Sequence, residues 1–321
     1  MPSALAWKID HVPFDPDGLI DLARGAYLGL AIGDALGATV EFMTPREIVH
    51  AHGQHKDIRG GGWLNLKSGQ ITDDSEMSLA LGRAILLEGG FRARTIAQAF
   101  DEWLKSKPID VGHTVRRGIV RFRTDGSTCA KEDEYDAGNG AVMRVLPVAL
   151  ATLGASIEDV SQAARLQAHV THNALLADLG LIAVVRMVQR AMMNSAKAYA
   201  DMLKIAHALA AQSAYYDFTK KTQMNPSGFL PDTLRAVFQA FARTDGFEAA
   251  LIEVVNRGGD ADTTGAILGY IVGALYGAKA IPPRWLDALD ARVRDACEEQ
   301  ALQLLELSPI LSGKAVRFIP D

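Results

Sequence analysis

Residues 256–277 read NRGGDADTTGAILGYIVGALYG, and this stretch decides the fold that we expect. Glycine recurs at every fourth position from 265 to 277 within an apolar run, which places the glycines on one ridge of a helix. A second ridge of four glycines runs through GAYLGLAIGDALG, residues 25–37. Because a glycine inside a helix costs about 1 kcal/mol relative to alanine, such ridges must gain stability from close backbone approach. We therefore predict that the two helices pack against each other, or against a common neighbour, at the centre of the domain.

The rest of the chain shows the same helical periodicity. Apolar residues recur at spacings of three and four after residue 16, whereas alternation with a period of two is almost absent. No stretch resembles a linker, so we expect an all-α fold in one compact multi-helix domain, residues 19–321, preceded by a lead-in of residues 1–18. The longest apolar stretch, residues 263–278, is shorter than the roughly 20 residues that span a bilayer, and we expect a core helix there.

Composition excludes several classes of function. Hydrophobic residues make up 49% and charged residues 22% of the 321 residues, as in a globular chain with a large core. The net charge of −5, without a long basic block, gives no support to a nucleic-acid partner. Cys129 and Cys297 lie far apart and form no CxxC motif, so neither a disulfide framework nor a thiolate zinc site is indicated. With no signal-peptide pattern at the start, we expect a cytoplasmic protein without a membrane segment.

The first chemical motif is TDDSE, residues 72–76, which lies between a glycine-rich loop and an apolar helical pattern. Serine, threonine and aspartate often cap the first turn of a helix by accepting hydrogen bonds from its free amides. Adjacent carboxylates at a helix start can instead hold a cation. This motif alone leaves both interpretations open.

A second motif, DADTT at residues 260–264, also follows glycines and precedes a helix, here the one with the glycine ridge. One cap needs one acceptor, but this turn offers two carboxylates and two hydroxyls. Two such turns can converge on one site, so together they favour a metal centre at helix N-termini. Carboxylate and hydroxyl oxygens without nearby cysteine or HExxH suit Mg²⁺ or Mn²⁺, and four aspartates bring enough charge for two ions.

Other polar residues carry a weaker signal by themselves. Asp34 and Glu41 follow the first glycine ridge, and either can simply face solvent. Asp110 can cap the next helix. Asn139 in a GNG turn can adopt a left-handed conformation, and His172 can be a hydrogen-bonded core residue.

Five segments in order resemble the ADP-ribosylglycohydrolase family: GAYLGLAIGDALGATVEF, TDDSEM, AGNGAVMR, THNALLADLG and NRGGDADTTGAILG. The resemblance covers residues 19–283. Within the family, DVGHTVRRG and SGFLPDTL are most similar to the branch that removes ADP-ribose from an arginine of nitrogenase iron protein.

The resemblance implies a set of site residues. Asp110 and Glu41 would be the catalytic carboxylates, Ser75 replaces a more usual threonine, and Phe229 replaces a tyrosine that stacks on adenine. The two cations, Mn²⁺ or Mg²⁺, would be held by Glu41, Thr72, Asp73, Asp74, Asp260, Asp262 and Thr263. ADP-ribose would be contacted by Gly112, His113 and Thr114 at the diphosphate, by Gly138, Asn139 and Gly140, by His172 near the ribose, and by Phe229.

The function that this resemblance implies is metal-dependent hydrolysis of ADP-ribosylated arginine. The protein substrate would be nitrogenase iron protein, whose inactivation is thereby reversed in the regulation of nitrogen fixation, and a regulatory protein partner is expected. Two alternatives stay open on the residues alone: a non-catalytic ADP-ribose-binding protein, and a phosphohydrolase of ADP-ribose-like nucleotides, because dinuclear centres also serve phosphate chemistry.

Overall fold

A computed structural model describes residues 15–193 and 196–321, and their regular structure is helical. Residues 1–14 of the predicted lead-in lie outside the described residues, and the first helix already begins at Pro16. The all-α prediction is confirmed. The helices are α1 (Pro16–Gly37), α2 (Pro45–His52), α3 (Asp73–Glu88), α4 (Ala93–Lys105), α5 (His113–Asp125), α6 (Leu146–Ala151), α7 (Ile157–Ala168), α8 (Leu175–Met192), α9 (Ala198–Gln212), α10 (Leu230–Arg243), α11 (Phe247–Val255), α12 (Ala261–Tyr276), α13 (Pro283–Ala288), α14 (Ala291–Leu307) and α15 (Pro309–Ser312).

The two glycine ridges meet at the centre of the molecule, where α1 and α12 run antiparallel. A β-carbon added at Gly29 would lie 2.2 Å from the carbonyl oxygen of Gly269, and one at Gly33 would lie 2.0 Å from that of Gly265. Both helices are buried along almost their whole length. The predicted close backbone approach is therefore confirmed. It extends to Gly277, which follows α12 with a φ of 78° and whose carbonyl carbon would lie 2.5 Å from a β-carbon at Gly25.

The remaining helices surround this central pair. Helices α3 and α14 pack on α1, while α8, α10 and α11 pack on α12. Inside this layer the Tyr27 hydroxyl of α1 donates to the Gln300 side chain of α14. Among the described residues no helix is both long and apolar enough to cross a bilayer.

The antiparallel pairing brings the C-terminal end of α1 to the N-terminal end of α12. A β-carbon at Gly37 would lie 2.1 Å from the carbonyl oxygen of Ala261, the first residue of α12. The chain enters α12 through Gly258 and Gly259, both with positive φ, where side chains would collide with the backbone at Met43 and Pro226. The polar residues that follow α1 and those that begin α12 are therefore neighbours.

Candidate metal centre and active site

Asp34 anchors the first acidic turn. It is fully buried on α1 and accepts hydrogen bonds from the backbone nitrogens of Thr72 (3.0 Å) and Ser75 (3.1 Å) and from both hydroxyls (2.8 and 2.6 Å). Asp34 thus satisfies the free amides at the start of α3, and Thr72 does not cap the helix with its own side chain. The alternative of a solvent-facing Asp34 is therefore wrong, and the carboxylates of Asp73 and Asp74 are not needed to cap α3.

The second acidic turn and Glu41 form a compact cluster. Carboxylate oxygens of Glu41, Asp260 and Asp262 all lie within 4.8 Å of one another. Glu41 is only 5% exposed, so the alternative of a solvent-facing side chain is wrong for this residue as well. Asp260 is the N-cap residue of α12, but its side chain makes no capping hydrogen bond to the backbone of that helix.

The two acidic turns converge at Asp74. Its Oδ2 lies 3.4 Å from the hydroxyls of both Thr72 and Thr263, which join α3 to α12. Its Oδ1 is buried and has no hydrogen-bond partner among the residues that the structure describes. A buried carboxylate oxygen without a partner is costly, and a cation at this point would satisfy it.

Burial raises the pKa of six carboxyl groups in the two acidic turns, α1 and the segment after it, and repulsion from neighbouring carboxylates adds to the rise in all of them except Asp34. Burial is the largest cause and raises the pKa of Asp34 to about 6 and that of Glu41 to about 8. None of the salt bridges between described residues involves these groups. The same direction of pKa shift holds for Asp73, Asp74, Asp260 and Asp262.

The oxygen atoms that these residues offer as ligands are suited to a divalent cation. Carboxylate and hydroxyl oxygens are hard ligands of the kind that Mg²⁺ and Mn²⁺ prefer. A bound cation would satisfy the Asp74 oxygen that lacks a partner among the described residues. It would also reduce the repulsion between the buried carboxylates.

Trp63 holds Glu41 in place, a contact that sequence reasoning missed. Its indole nitrogen donates to Glu41 Oε2 over 2.6 Å, and its ring lies 5.4 Å from that of Phe42. The loop before Trp63 contains three consecutive glycines with positive φ, residues 60–62. The RGGGW motif signalled a turn, but nothing in it indicated which carboxylate the tryptophan would meet.

The segment before α5 borders the acidic cluster. The backbone nitrogen of Gly112 donates to Asp73 Oδ2 over 3.3 Å, and the half-buried Asp110 accepts from the backbone nitrogen of Val111 over 2.7 Å. Asp110 also raises the pKa of Glu41 and Asp73 by repulsion. Asp110 does not cap α5, whose N-cap is Gly112, so the alternative of a helix cap is wrong for this residue.

The GNG turn reaches the cluster from the opposite side. Asn139 Nδ2 donates to Asp260 over 2.5 Å and to the hydroxyl of Thr233 over 3.0 Å. Asn139 begins a short 3₁₀ helix and has no positive φ, so the alternative of a left-handed turn residue is wrong.

His172 and Phe229 flank this turn. His172 is buried, and its Nε2 would lie 3.2 Å from a β-carbon added at Gly138. Phe229 pairs with Gly138 in an isolated β-bridge and is 37% exposed, so it is not a core residue. Its ring meets the edge of Tyr215 at a centroid distance of 6.2 Å. His113 and Thr114, in the first turn of α5, are exposed and half-buried respectively.

Comparison with known sequences gives the family and its relatives. Residues 15–310 match the sequence model of a family described as ADP-ribosylglycohydrolase. The chain is 46% identical over 288 residues to an ADP-ribosyl-[dinitrogen reductase] glycohydrolase of Rhodospirillum rubrum, which covers 90% of this chain and 97% of the relative. It is 31% identical to an ADP-ribosylarginine hydrolase of Pseudomonas putida, over 93% of this chain and 84% of the relative.

A solved structure shows the same fold. It is described as an ADP-ribosylglycohydrolase-related protein complex and is 32% identical in sequence, with a TM-score of 0.80. The match covers 91% of this chain and 99% of the other.

Proposed function

This chain belongs to the ADP-ribosylglycohydrolase family, and we propose that it hydrolyses the N-glycosidic bond between ADP-ribose and an arginine side chain of a protein. The observation that carries the proposal is the buried acidic centre, in which carboxylates from three separate parts of the chain meet beside an exposed aromatic ring and a glycine turn. Further support comes from two relatives that each match at least 90% of this chain. One is named as an ADP-ribosyl-[dinitrogen reductase] glycohydrolase and the other as an ADP-ribosylarginine hydrolase.

The proposed target is ADP-ribosylated nitrogenase iron protein. Its support is the 46% identity to the Rhodospirillum rubrum enzyme, which exceeds the 31% identity to the Pseudomonas putida hydrolase. Hydrolysis would restore the free arginine and so reverse the inactivation of the target. A cytoplasmic location belongs to this proposal and suits two cysteines that are both unpaired, Cys129 and Cys297.

Two divalent cations would be held by residues from both helix starts and from the segment after α1. When bound, such ions bind the hydroxyls of a ribose and lower the pKa of a water molecule. The residues that would hold them are Glu41, Thr72, Asp73, Asp74, Asp260, Asp262 and Thr263.

The surrounding residues would bind and orient ADP-ribose. The amides of His113 and Thr114, in the first turn of α5, can bind diphosphate because a helix N-terminus favours anions. Gly112, whose amide donates to Asp73, would lie next to them. The glycine turn at residues 138–140 would contact the ribose together with His172, whose Nε2 lies 3.2 Å from where a β-carbon at Gly138 would be. The half-exposed Phe229 ring offers a stacking surface for adenine.

Asp110 and Glu41 are the proposed catalytic carboxylates. Cleavage builds positive charge on the anomeric carbon, which a nearby carboxylate stabilises, and the reaction also needs a group that moves a proton. The indole nitrogen of Trp63 holds the Glu41 carboxylate by a hydrogen bond. Asp110 instead acts on the cluster by electrostatic repulsion, and its neighbour Gly112 donates a backbone hydrogen bond to Asp73. Their different surroundings suit a division of these two roles.

Product analysis tests the proposal. Proteins that carry ADP-ribose on arginine, on serine or through an ester would be incubated side by side with the enzyme and Mn²⁺ or Mg²⁺. We expect free ADP-ribose and an intact arginine, with the arginine adduct cleaved fastest. Release of AMP or phosphate would support the phosphohydrolase alternative, and binding without turnover would support a non-catalytic ADP-ribose-binding protein.

A further inference from the structure

A buried arginine lies behind His172 and has no role in the proposed reaction. Arg144 is 0% exposed, and its guanidinium lies 4.5 Å above the ring of Phe100. It donates to the side chain of Gln167 over 2.9 Å and to the hydroxyl of Thr171 over 2.8 Å. A fully buried cation costs much free energy, so its contact with the residue next to His172 calls for an explanation.

We infer that Arg144 and Thr171 hold His172 as the neutral tautomer that carries its proton on Nε2, so that this nitrogen donates a hydrogen bond to an oxygen of bound ADP-ribose. Arg144 and Thr171 are then positioning residues that act through His172. The inference rests on the proposed function only for the identity of the acceptor, because the tautomer follows from the protein alone.

The direction of each hydrogen bond follows from counting donors and acceptors. Arginine can only donate, so the Thr171 hydroxyl accepts from Arg144 and keeps its own proton for another partner. Two acceptors lie near that proton: Nδ1 of His172 at 2.8 Å and the carbonyl oxygen of Ala168 at 3.5 Å.

The Ala168 carbonyl is already occupied. It accepts from the backbone nitrogens of Thr171 (2.9 Å) and His172 (2.8 Å), which fills both of its lone pairs. The Thr171 proton therefore goes to Nδ1 of His172, at the shorter distance. The adjacent guanidinium polarises this hydroxyl and strengthens its donation.

With Nδ1 as an acceptor, a neutral imidazole carries its proton on Nε2. Burial, together with the charges of Arg144 and Arg117, lowers the pKa of His172 to about 3, which keeps the ring neutral. The Nε2 edge lies against the glycine turn, 3.2 Å from where a β-carbon at Gly138 or Gly140 would be. Within the described part of the chain, Nε2 has no hydrogen-bond partner, and its donor is available to a ligand in the site.

The tautomer can be measured without any mutation. Nitrogen-15 NMR of the full chain, with the His172 signals assigned by comparison with His172→Gln, would show a protonated Nε2 and an unprotonated, hydrogen-bonded Nδ1. A protonated Nδ1 in the ligand-free protein would overturn the inference, even if the enzyme cleaves ADP-ribosyl-arginine normally.

Two variants of Thr171 test the link to binding. Thr171→Val keeps the shape but removes the hydroxyl, and we expect it to shift the Nδ1 resonance and weaken ADP-ribose binding, measured by calorimetry, roughly tenfold, as for the loss of a hydrogen bond to a charged ligand. Thr171→Ser keeps the hydroxyl and should restore both the resonance and the affinity. Unchanged affinity in a folded Thr171→Val would contradict the inference, whereas failure of the wild-type protein to bind ADP-ribose would contradict the proposed function instead.

Discussion

At the level of single residues, the site consists of carboxylates that are buried together and form no salt bridge with another described residue. Asp34 and Asp74 show the two ways in which the fold uses such a group. Asp34 accepts four hydrogen bonds and fixes the start of α3, whereas one oxygen of Asp74 is left without a partner. The first residue supports structure, and the second is available for a cation.

Asp262→Asn tests the cation assignment. This variant keeps the size of a side chain that is 2% exposed but removes its charge, so we expect turnover to fall at least about a hundredfold, on the scale of several kcal/mol of lost transition-state stabilisation. The increase in melting temperature on adding Mn²⁺ should disappear. The metal-free variant should be no less stable than wild type, because one repulsive charge is gone.

Asp295→Asn is the matched control, since this aspartate is 79% exposed on α14 and belongs to neither acidic turn. It should leave both turnover and the metal-induced stabilisation unchanged. Wild-type activity in Asp262→Asn would refute the metal assignment.

Phe229→Ala tests the stacking surface. Loss of the ring should weaken ADP-ribose binding by about 1 to 3 kcal/mol, the range for base stacking on aromatic side chains. Calorimetry would give the affinity and a thermal melt the stability. Leu87→Ala, which truncates an 81% exposed side chain on α3, serves as the control. Unchanged affinity in Phe229→Ala would eliminate the stacking role.

At the scale of helices, the molecule is organised by the contact between α1 and α12. Periodic glycines revealed this pair in the sequence because a four-residue repeat has few uses other than close helix packing. The sequence could not reveal that the pair is antiparallel, which depends on the helices around it. That orientation is what brings Glu41 beside Asp260 and Asp262.

Gly33→Ala tests the central contact. The new methyl group would lie 2.0 Å from the Gly265 carbonyl oxygen, and because backbone cannot move aside cheaply, we expect a loss of about 3 kcal/mol in the free energy of unfolding. Chemical denaturation would measure it. Gly18→Ala, near the start of α1, is the comparison, since its methyl group meets only the exposed side chain of Asp15, which can move aside. An equal or smaller loss for Gly33→Ala would contradict the proposed role of the ridge.

At the level of the whole molecule, two acidic turns that are distant in sequence form one site. Asp74 in the first turn and Asp260 in the second are 186 residues apart. Their helix-start positions and ligand chemistry could be predicted from local sequence. The contributions of Asp34, Trp63 and Arg144 could not be predicted in this way. Each of these side chains bonds to a residue that is distant in sequence, and no local sequence pattern indicates which residue that is. Residues with a recognisable motif were therefore easier to predict than the residues that position them.

The crowded charges also predict how stability depends on pH. A carboxyl group whose pKa is raised by folding binds its proton more tightly in the folded state, so stability falls as pH rises from the unfolded to the folded pKa. For Glu41 this window runs from 4.5 to about 8. Without divalent ions, the melting temperature of wild type should fall more between pH 5 and pH 8 than that of Glu41→Gln.

Divalent ions should reverse this trend. Because protons compete with cations for the same oxygens, Mn²⁺ should raise the melting temperature of wild type more at pH 8 than at pH 5. Parallel pH profiles for wild type and Glu41→Gln, or equal stabilisation at both pH values, would contradict the repulsive cluster.

The most direct test of the central claim is the mass of an arginine-ADP-ribosylated nitrogenase iron protein after incubation with this enzyme. With Mn²⁺ or Mg²⁺ present, the account predicts that the target loses the whole ADP-ribosyl group and regains an unmodified arginine, and that chelation of the metal stops the reaction. A target that keeps its full mass in the presence of metal, or that retains a ribose phosphate on the arginine, would contradict the account.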